Sequence, residues 1–535
     1  MRVGEGGAPG LPVAADIDPR RAHTALSLLA DRRWWTLADL IRATAAPRRS
    51  VESLLAALSL EHAGDGRFRL TPEQAEQITG ALRTGHRPLE PADPVAHLLS
   101  EHAAVVERMD ALIRRAPRGR HVLDHVAATP DTVVRRALLL GARFWLPGTR
   151  LLCVGDHDLT SLAVGMIHPG VESTVVDVDE RILAYIDACA ADLGVNVRTR
   201  WADLRLGLPP SAAAHADLAV TDPPYTPEGV GLFVARALEG LRDHARGRVL
   251  LAYGASDRTP MLALKVQNAL RDLNLVTEAV YPDFNRYFGA EAIGSAADLY
   301  LLRPTGKSLP AATARAERFS TAIYTQGPQA VESRAALRLT TDDLADLQPG
   351  VLVGDWPKQI LPRVPRARLT TWLAKPYAAA VRHAAVALPP GLEPALVRTL
   401  LATRAEHVRV FLAEPPDDLP DAAALLRPVY ELTARGPVVD AVRTPPAAGD
   451  DTARILRAIM DRAHGKIANA WRDQLTALHG LTKRQARTVV ADTAPWARDV
   501  TPLELPAHRL RALPDAVRAS LRAAQTAAAA PAAGP

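Results

Sequence analysis

The chain has 535 residues, of which 48% are hydrophobic and 23% charged, a balance typical of soluble globular proteins with several domains. Its two cysteines, Cys153 and Cys189, are too few for a disulfide scaffold and favour a reducing cytoplasm. A net charge of +5 does not by itself indicate nucleic-acid binding, and no apolar run reaches the ~20 residues that span a membrane.

Residues 1–18 are rich in Gly, Pro and Ala and lack the pattern of a secretory signal, so we expect a disordered N-terminus. Residues 19–71 predict a winged helix-turn-helix, with three short helices, the second capped by Thr36, and then a hairpin. Arg48 and Arg49 open the third helix, where DNA-binding domains place base contacts. Because that helix has no basic stripe, docking on a partner domain or dimerisation is the favoured alternative.

Residues 72–147 predict a helical connector, whose last helix begins near Pro130. Residues 148–304 then alternate between short apolar runs and helical patterns, and they end in two strands that pair as a hairpin. This alternation predicts an α/β fold with a mostly parallel sheet, a Rossmann-like domain of the class I methyltransferase type. Ligands bind such sheets at the carboxyl ends of the strands.

The rest of the chain carries no catalytic motif that we recognise. Residues 305–522 predict an additional α/β or helical domain of unknown function, with no clear repeat of the first half. The Ala- and Pro-rich residues 523–535 are expected to be a disordered tail.

The most informative motif is Asp222-Pro223-Pro224-Tyr225, which follows the apolar strand pattern of residues 216–221. The two prolines fix the backbone and remove N–H donors, so carbonyl oxygens and the Asp222 carboxylate can accept hydrogen bonds from an amine. The Tyr225 ring offers its face to a cation or a flat base. Such a turn is typical of enzymes that alkylate an amino nitrogen with a sulfonium cofactor.

A second motif, Gly155-Asp156-His157-Asp158, follows the first strand of the predicted sheet. An S-adenosylmethionine methyltransferase would have several glycines here, because backbone N–H groups at the helix start hold the methionine carboxylate. Two aspartates would instead repel a carboxylate and attract an ammonium group. The loop therefore favours decarboxylated S-adenosylmethionine as donor and a polyamine as acceptor. The simpler alternative is that Asp158 caps the next helix.

Further acids follow other strands. Asp177 ends the second strand, where an acid typically binds ribose hydroxyls, and Asp179 is the alternative; either could simply cap a helix. Asp203 stands where the next loop would reach the adenine amino group, or is an ordinary loop acid. Three acids are candidate acceptor ligands, with plain structural roles equally open: Glu228, Asp283 and Glu291. We expect no metal.

Together, these motifs resemble the branched-chain polyamine synthases, which make N4-bis(aminopropyl)spermidine. The likeness covers residues 20–304 and is carried by the two motifs above, by residues 177–181 and by residues 287–290 with 298–300. It implies a Rossmann-like catalytic domain, an N-terminal winged helix, decarboxylated S-adenosylmethionine as donor and a spermidine-like acceptor. The family's loop reads Gly-Asp-Asp-Asp, and its catalytic last Asp corresponds to Asp158, whereas His157 replaces the middle Asp.

The sequence thus predicts an aminopropyltransferase with Asp158 as general base. The candidate catalytic residues are Asp156, Asp158, Asp222 and Tyr225. The candidate donor ligands are Gly155, Asp156, Asp177, Asp179 and Asp203, and the candidate acceptor ligands are Asp222, Pro223, Tyr225, Glu228, Asp283 and Glu291. Two alternatives stay open: an S-adenosylmethionine-dependent amino-methyltransferase acting on DNA or RNA, and a non-catalytic DNA-binding regulator that senses a polyamine or nucleoside. A homodimer is also left open.

Overall fold

The computed structural model describes residues 20–85, 93–256, 258–316, 322–327, 330, 337, 339–416, 418–445 and 449–529. The expected disordered segment 1–18 and the last residues of the expected tail, 530–535, lie outside this set. The expectation for residues 523–529 is wrong, because they form the end of a long helix. Within the described residues, no helix has the length and apolarity needed to cross a membrane.

The described residues 20–70 form a small unit of three helices and an antiparallel hairpin, which are α1 (Arg20–Ala30), α2 (Leu37–Thr44), α3 (Arg48–Ala56), β1 (Leu60–His62) and β2 (Phe68–Leu70). Thr36 caps α2 as predicted, because its hydroxyl accepts a hydrogen bond from the backbone N–H of Asp39. An apolar core that includes Leu26, Ile41 and Leu70 holds the unit together.

Three connector helices lead into the first large sheet: α4 (Pro72–Gly85), α5 (Ala103–Arg115) and α6 (Pro130–Arg143). Pro130 occupies the first turn of α6, where the sequence predicts the helix to begin, and Thr129 caps it. Most of α6 is buried, since it packs against α5 and against the first helix of the sheet domain. This packing places the side chain of Arg136, a residue of α6, in the candidate site.

The first large sheet has seven strands in the order β5-β4-β3-β6-β7-β9-β8. Neighbours from β5 to β7 are parallel, and β9 runs antiparallel to both β7 and β8. The strands are β3 (Arg150–Val154), β4 (Glu172–Asp177), β5 (Val197–Trp201), β6 (Leu218–Thr221), β7 (Arg248–Tyr253), β8 (Val276–Arg286) and β9 (Ala296–Arg303). The helices are α7 (Thr160–Ile167), α8 (Glu180–Leu193), α9 (Pro227–Gly240), α10 (Pro260–Asp272) and α11 (Ser308–Ala316). The predicted α/β class and the terminal hairpin are confirmed.

Both faces of this sheet are covered. Along β3, Leu151 and Cys153 belong to the core on one face, whereas Leu152 and Val154 belong to the core on the other. Alternating side chains of a strand point to opposite faces, so burial of both sets explains why the strands read as continuous apolar runs. The polar side chains that could bind a ligand therefore lie at the strand ends.

The described residues 337–529 form a second α/β unit, with a six-stranded sheet in the order β11-β10-β12-β13-β15-β14. Its strands are β10 (Val351–Val353), β11 (Arg366–Ala367), β12 (His383–Ala387), β13 (His407–Phe411), β14 (Tyr430–Arg435) and β15 (Val438–Arg443). Its helices are α12 (Leu369–Ala374), α13 (Leu396–Leu401), α14 (Leu419–Leu426), α15 (Asp451–Met460), α16 (Ile467–His479), α17 (Lys483–Thr493) and α18 (Ala507–Ala529).

The second unit docks on the β5 and α8 edge of the first sheet. Arg398 of α13 forms an ion pair with Glu180 of α8, with 2.6 Å between their nitrogen and oxygen atoms. His508 and Arg509 of α18 both bind Asp187 of α8, at 2.8 and 2.7 Å. These contacts place the second unit beside the strand that leads to Asp203.

Candidate active site

A cavity of about 660 Å³ opens at the carboxyl ends of β3, β4 and β6. The loops that follow these strands and β5 line it, together with connector residues between 118 and 127, residues 287–290, 292 and 293 after β8, and residues 323–326. This is the edge at which open α/β sheets bind ligands, as the sequence predicts. Six predicted site residues from the two motifs line the cavity: Gly155, Asp156, Asp158, Asp222, Pro223 and Tyr225.

The carboxylate of Asp156 lies at the amino-terminal end of α7. Its carboxylate oxygens accept a hydrogen bond from the backbone N–H of Ser161, at 3.2 and 3.4 Å, and only 3% of the residue is exposed. Burial raises the pKa of Asp156 to about 7. A protein carboxylate therefore binds the helix N–H that could otherwise bind an anionic ligand.

Asp158 and Asp222 are joined by one buried arginine of the connector helix α6. Arg136 donates from Nη1 to Asp158 Oδ2 at 2.8 Å and from Nη2 to Asp222 Oδ2 at 2.6 Å. Its Nε donates to Asn285 Oδ1 at 2.8 Å, so the whole fork is directed into the site. Burial opposes the charge of Arg136, but Asp158 and Asp222 outweigh burial and raise its pKa.

Sequence reasoning missed Arg136. The caps of the connector helices do not reveal it, but Arg136 lies three residues after Val133 and next to Ala137 on the apolar stripe of α6. An arginine on a stripe that faces a core is rarely buried without a partner. That position was the available signal for a buried ion pair.

Two tyrosine hydroxyls complete the network around Asp222. Tyr287 donates to Asp222 Oδ2 at 2.7 Å and Tyr225 donates to Asp222 Oδ1 at 3.0 Å, while the two hydroxyl oxygens lie 3.0 Å apart. Burial raises the pKa of Asp222 to about 6, and burial also raises the pKa of both tyrosines. The Asp-Pro-Pro-Tyr turn is thus held rigidly, with the ring edge of Tyr225 against Tyr253 at a centroid distance of 5.4 Å.

Apart from Asp156, the predicted donor acids comprise two that line the cavity and one that does not. Asp177 lines it and accepts from the backbone N–H groups of Asp156 and Asp179, at 3.2 and 2.8 Å. Asp203 also lines it and is bound by the Arg205 guanidinium, with 2.8 Å between Arg205 Nε and Asp203 Oδ1. Asp179 caps α8 and pairs with Arg181, so the expectation of Asp179 as a donor ligand gives way to its helix-cap alternative.

The three outlying acids predicted to bind the acceptor are not among the described residues that line the cavity. Glu228 lies in the first turn of α9. Asp283 pairs with Arg21 of α1, and Glu291 pairs with Arg48 of α3. The last two bind the N-terminal unit instead, and Arg48, considered above as a DNA contact, is engaged by Glu291 and by Glu52.

His157, which stands where the family loop has an aspartate, stacks on His125 of the connector. The ring centroids are 4.4 Å apart and the planes differ by 15°, and both rings line the cavity. Burial lowers the pKa of each histidine to about 4, so both rings are neutral near pH 7. The substitution thus replaces a negative group by an uncharged, flat wall.

A mostly parallel sheet of this strand order, with an acid-lined cavity at its carboxyl edge, defines a Rossmann-like domain of the methyltransferase type. Residues 104–306 match the family model of the branched-chain polyamine synthase A C-terminal domain. The resemblance predicted from the motifs is thereby confirmed for this part of the chain.

Two relatives from Methanocaldococcus jannaschii extend this result. An uncharacterized protein is 35% identical over 206 residues, which are 38% of this chain and 51% of the relative. An N(4)-bis(aminopropyl)spermidine synthase is 29% identical over 193 residues, which are 35% of this chain and 54% of that enzyme. The chain therefore spans about half the length of these curated relatives.

A solved structure is also similar. It is the branched-chain polyamine synthase from Thermus thermophilus in complex with N4-aminopropylspermidine and 5'-methylthioadenosine, 22% identical to this chain. The match covers 54% of this chain and 88% of that one, with a TM-score of 0.39.

Proposed function

We propose that the protein transfers the aminopropyl group of decarboxylated S-adenosylmethionine to a nitrogen of a spermidine-like polyamine, which gives a branched product. One observation carries the proposal: the Asp156 carboxylate accepts the hydrogen bond of the Ser161 N–H at the start of α7. A methionine carboxylate at this position would meet a negative side chain and an N–H that is already bound. A donor without that carboxylate avoids both penalties.

The charge of the cavity supports a cationic pair of substrates. Its described lining contains six carboxyl groups, from Asp124, Asp156, Asp158, Asp177, Asp203 and Asp222, against the guanidinium groups of Arg118 and Arg136. Sulfonium and polyamine nitrogens are positively charged, and an excess of carboxylates in a partly closed cavity concentrates such ligands. The faces of Tyr225 and Phe288 offer additional contacts for ammonium or methylene groups.

We assign Asp177 to the ribose hydroxyls and Asp203 to the adenine amino group of the donor. Of the two motif aspartates, Asp158 has both carboxylate oxygens engaged, Oδ1 by the backbone N–H of Ala128 and Oδ2 by Arg136. Asp156 has no ion-pair partner among the described residues, and its pKa of about 7 suits a group that takes a proton near neutral pH. Asp156 is therefore our general base, and Asp158 positions Arg136.

The N-terminal unit is proposed to be a winged helix that serves as a docking domain. Arg48 pairs with Glu291, and Arg42 Nε donates to the backbone oxygen of Tyr287 at 3.1 Å. Both contacts hold the segment 287–293, which lines the cavity. This favours a role in the transferase over DNA reading.

The test compares the two donors by calorimetry and then identifies the products formed from spermidine by mass spectrometry. Decarboxylated S-adenosylmethionine should bind at least about tenfold more tightly than the intact cofactor, because the intact cofactor brings a carboxylate next to Asp156. The variant Asp156→Gly should narrow this difference. Tighter binding of the intact cofactor, with methylated products, would support the amino-methyltransferase alternative and refute the proposal.

A further inference from the structure

The second unit repeats the strand arrangement of the first sheet. In the first sheet, β3 has β4 on one side and β6, β7 and the antiparallel hairpin β9-β8 on the other. In the second, β10 has β11 on one side and β12, β13 and the antiparallel hairpin β15-β14 on the other. Within the described residues, the second sheet lacks only a counterpart of the edge strand β5. Chain order is the same throughout, which makes an accidental match of topology improbable.

The loops at the strand ends also correspond. Gly155 directly follows β3, has a φ of +73°, and donates from its N–H to the backbone oxygen of Val176 in β4 at 2.9 Å. Gly354 directly follows β10, has a φ of +91°, and donates to the backbone oxygen of Ala367 in β11 at 2.9 Å. Both glycines therefore make the same turn with the same neighbour.

A second correspondence lies after the next central strand. Asp222-Pro223-Pro224-Tyr225 directly follows β6, and Leu388-Pro389-Pro390-Gly391 directly follows β12. The two prolines are kept, but the acid becomes the fully buried Leu388 and the tyrosine becomes a glycine. Val176 and Ala367 accept the hydrogen bonds of the two loop glycines. The residue that follows is Asp177 in the first sheet and Arg368 in the second.

In the first sheet, β3 is followed by the helix α7. At the equivalent position in the second sheet, β10 is followed by a loop that is closed on itself by hydrogen bonds. The Arg366 guanidinium donates to the backbone oxygens of Trp356 at 2.6 Å, Pro357 at 3.0 Å and Ile360 at 2.9 Å. The Trp356 ring packs edge-on against Phe411 with 5.4 Å between centroids. Pro357 stands at the position of Asp158, so the loop offers neither a helix start nor the second acid.

We infer that residues 337–529 contain a second, degenerate copy of the donor-binding fold, which binds no adenosyl donor and instead braces Asp203 of the working copy through Arg205. The backbone oxygen of Gly391, the counterpart of Tyr225, accepts a hydrogen bond from Arg205 Nη2 at 3.1 Å. Arg205 also binds Asp203 and is 6% exposed. The vestigial substrate turn thus orients the acid that we assign to the adenine, and this step rests on the proposed function.

The first test counts binding sites by calorimetric titration of the full-length protein with 5'-methylthioadenosine. We expect one site per chain, loss of that site in Asp177→Ala, and no effect of Arg368→Ala. Two sites per chain would overturn the degenerate copy while leaving the proposed function intact. No binding at all would refute the proposed function and the bracing role together.

The second test measures the preference for 5'-methylthioadenosine over 5'-methylthioinosine, which lacks the amino group that Asp203 would accept from. Arg205→Lys keeps a cation beside Asp203 but shortens the reach to Gly391, and it should lower this preference by about tenfold. Arg205→Ala should lower it as much or more. The matched control is His508→Ala, which removes a bond to Asp187 at the same interface and should leave the preference unchanged. An unchanged preference in both Arg205 variants would overturn the bracing role.

Discussion

At the scale of single residues, the two motif aspartates differ in their partners. Asp158 accepts from Arg136 and from the backbone N–H of Ala128 at 2.9 Å, whereas Asp156 accepts from the backbone N–H of Ser161 and has a pKa of about 7. Because Asp156 is deprotonated only above that pKa, transfer that depends on it should increase as pH rises through about 7.

We therefore predict that Asp156→Asn lowers the rate of aminopropyl transfer by at least about a hundredfold and removes its rise with pH. Initial rates between pH 5.5 and 9, with donor binding followed separately, measure both effects. Asp158→Asn should instead disturb the Arg136 network and keep the pH-dependent rise. The opposite pattern, with a normal pH profile in Asp156→Asn, would return the role of base to Asp158.

The His125–His157 stack should make folding sensitive to acid. Both rings have a pKa of about 4 in the folded protein, below the ordinary value of 6.5, so below pH 6.5 the unfolded chain binds more protons. The contribution of the neutral rings to the free energy of unfolding is fully present above pH 6.5. It is lost as pH falls toward 4, by up to roughly 3 kcal/mol per ring.

The double variant His125→Phe/His157→Phe keeps two stacked rings and removes the titrating nitrogens. We expect its urea-unfolding free energy to change less between pH 6.5 and 4.5 than that of the parent protein. The exposed His62→Gln serves as a control for the loss of a histidine and should follow the parent curve. Parallel curves for the double variant and the parent would show that the stack does not titrate as described.

At the scale of elements, the N-terminal unit packs closely against the turn at Gly294, which follows residues that line the cavity. Gly294 follows the short helical turn Glu291–Ile293 and has a φ of +84°. A Cβ atom at Gly294 would meet the backbone oxygen of Ala45, between α2 and α3, at 2.2 Å. Neither the backbone angle nor the space accepts a side chain there.

Gly294→Ala should therefore push the N-terminal unit off the segment 287–293. We expect a higher KM for the polyamine, an unchanged affinity for the donor, and a loss of stability of about 1–3 kcal/mol. Steady-state kinetics and thermal unfolding measure these effects. Gly306→Ala is the matched control, since a Cβ there meets nothing within 4 Å; a KM shift of equal size in the control would argue against a docking role.

Sequence patterns predicted the first sheet well because each element carries a strong local signal. The strands and helices alternate over residues 148–304 as predicted, and the Asp-Pro-Pro-Tyr turn lies at the predicted strand end. Buried parallel strands are continuous apolar runs, and turns between them carry Gly, Pro and Asp, so the pattern is local. Long-range partners, such as Arg136 with Asp158, leave no such local trace.

The repeat in the second unit escaped sequence reasoning for a physical reason. Its first two strands have only three and two residues, which is too short for a periodicity to be recognised. Three of the polar residues that mark the motifs in the first copy, Asp222, Tyr225 and Asp158, are replaced by Leu388, Gly391 and Pro357. Asp283 and Glu291 pair with Arg21 and Arg48 of the N-terminal unit, and the residues around either acid in the sequence do not reveal these distant partners.

At the scale of the whole molecule, the buried cation Arg398 joins the two sheets, in addition to Arg205 and the pairs with Asp187. Arg398 is 3% exposed, donates to the backbone oxygen of Leu505 at 2.6 Å, and lies over the Trp201 ring with 4.2 Å between Cζ and the ring centroid. Arg398 also forms an ion pair with Glu180. It therefore connects α13 and Leu505, which precedes α18, to α8 and to the end of β5. The two copies should consequently unfold as one cooperative body.

We predict that Arg398→Met uncouples them. The substitution keeps much of the apolar stem but leaves Glu180 without its buried cation, which should destabilise the interface by roughly 2–4 kcal/mol. In hydrogen exchange, protection should fall first in α8, β5 and α13, and thermal unfolding should separate into two transitions. The control Arg382→Met breaks an exposed pair with Glu406 in the same unit and should leave the single transition in place. If Arg398→Met also unfolds in a single transition at the parent temperature, Arg398 does not couple the two sheets, and their other contacts do.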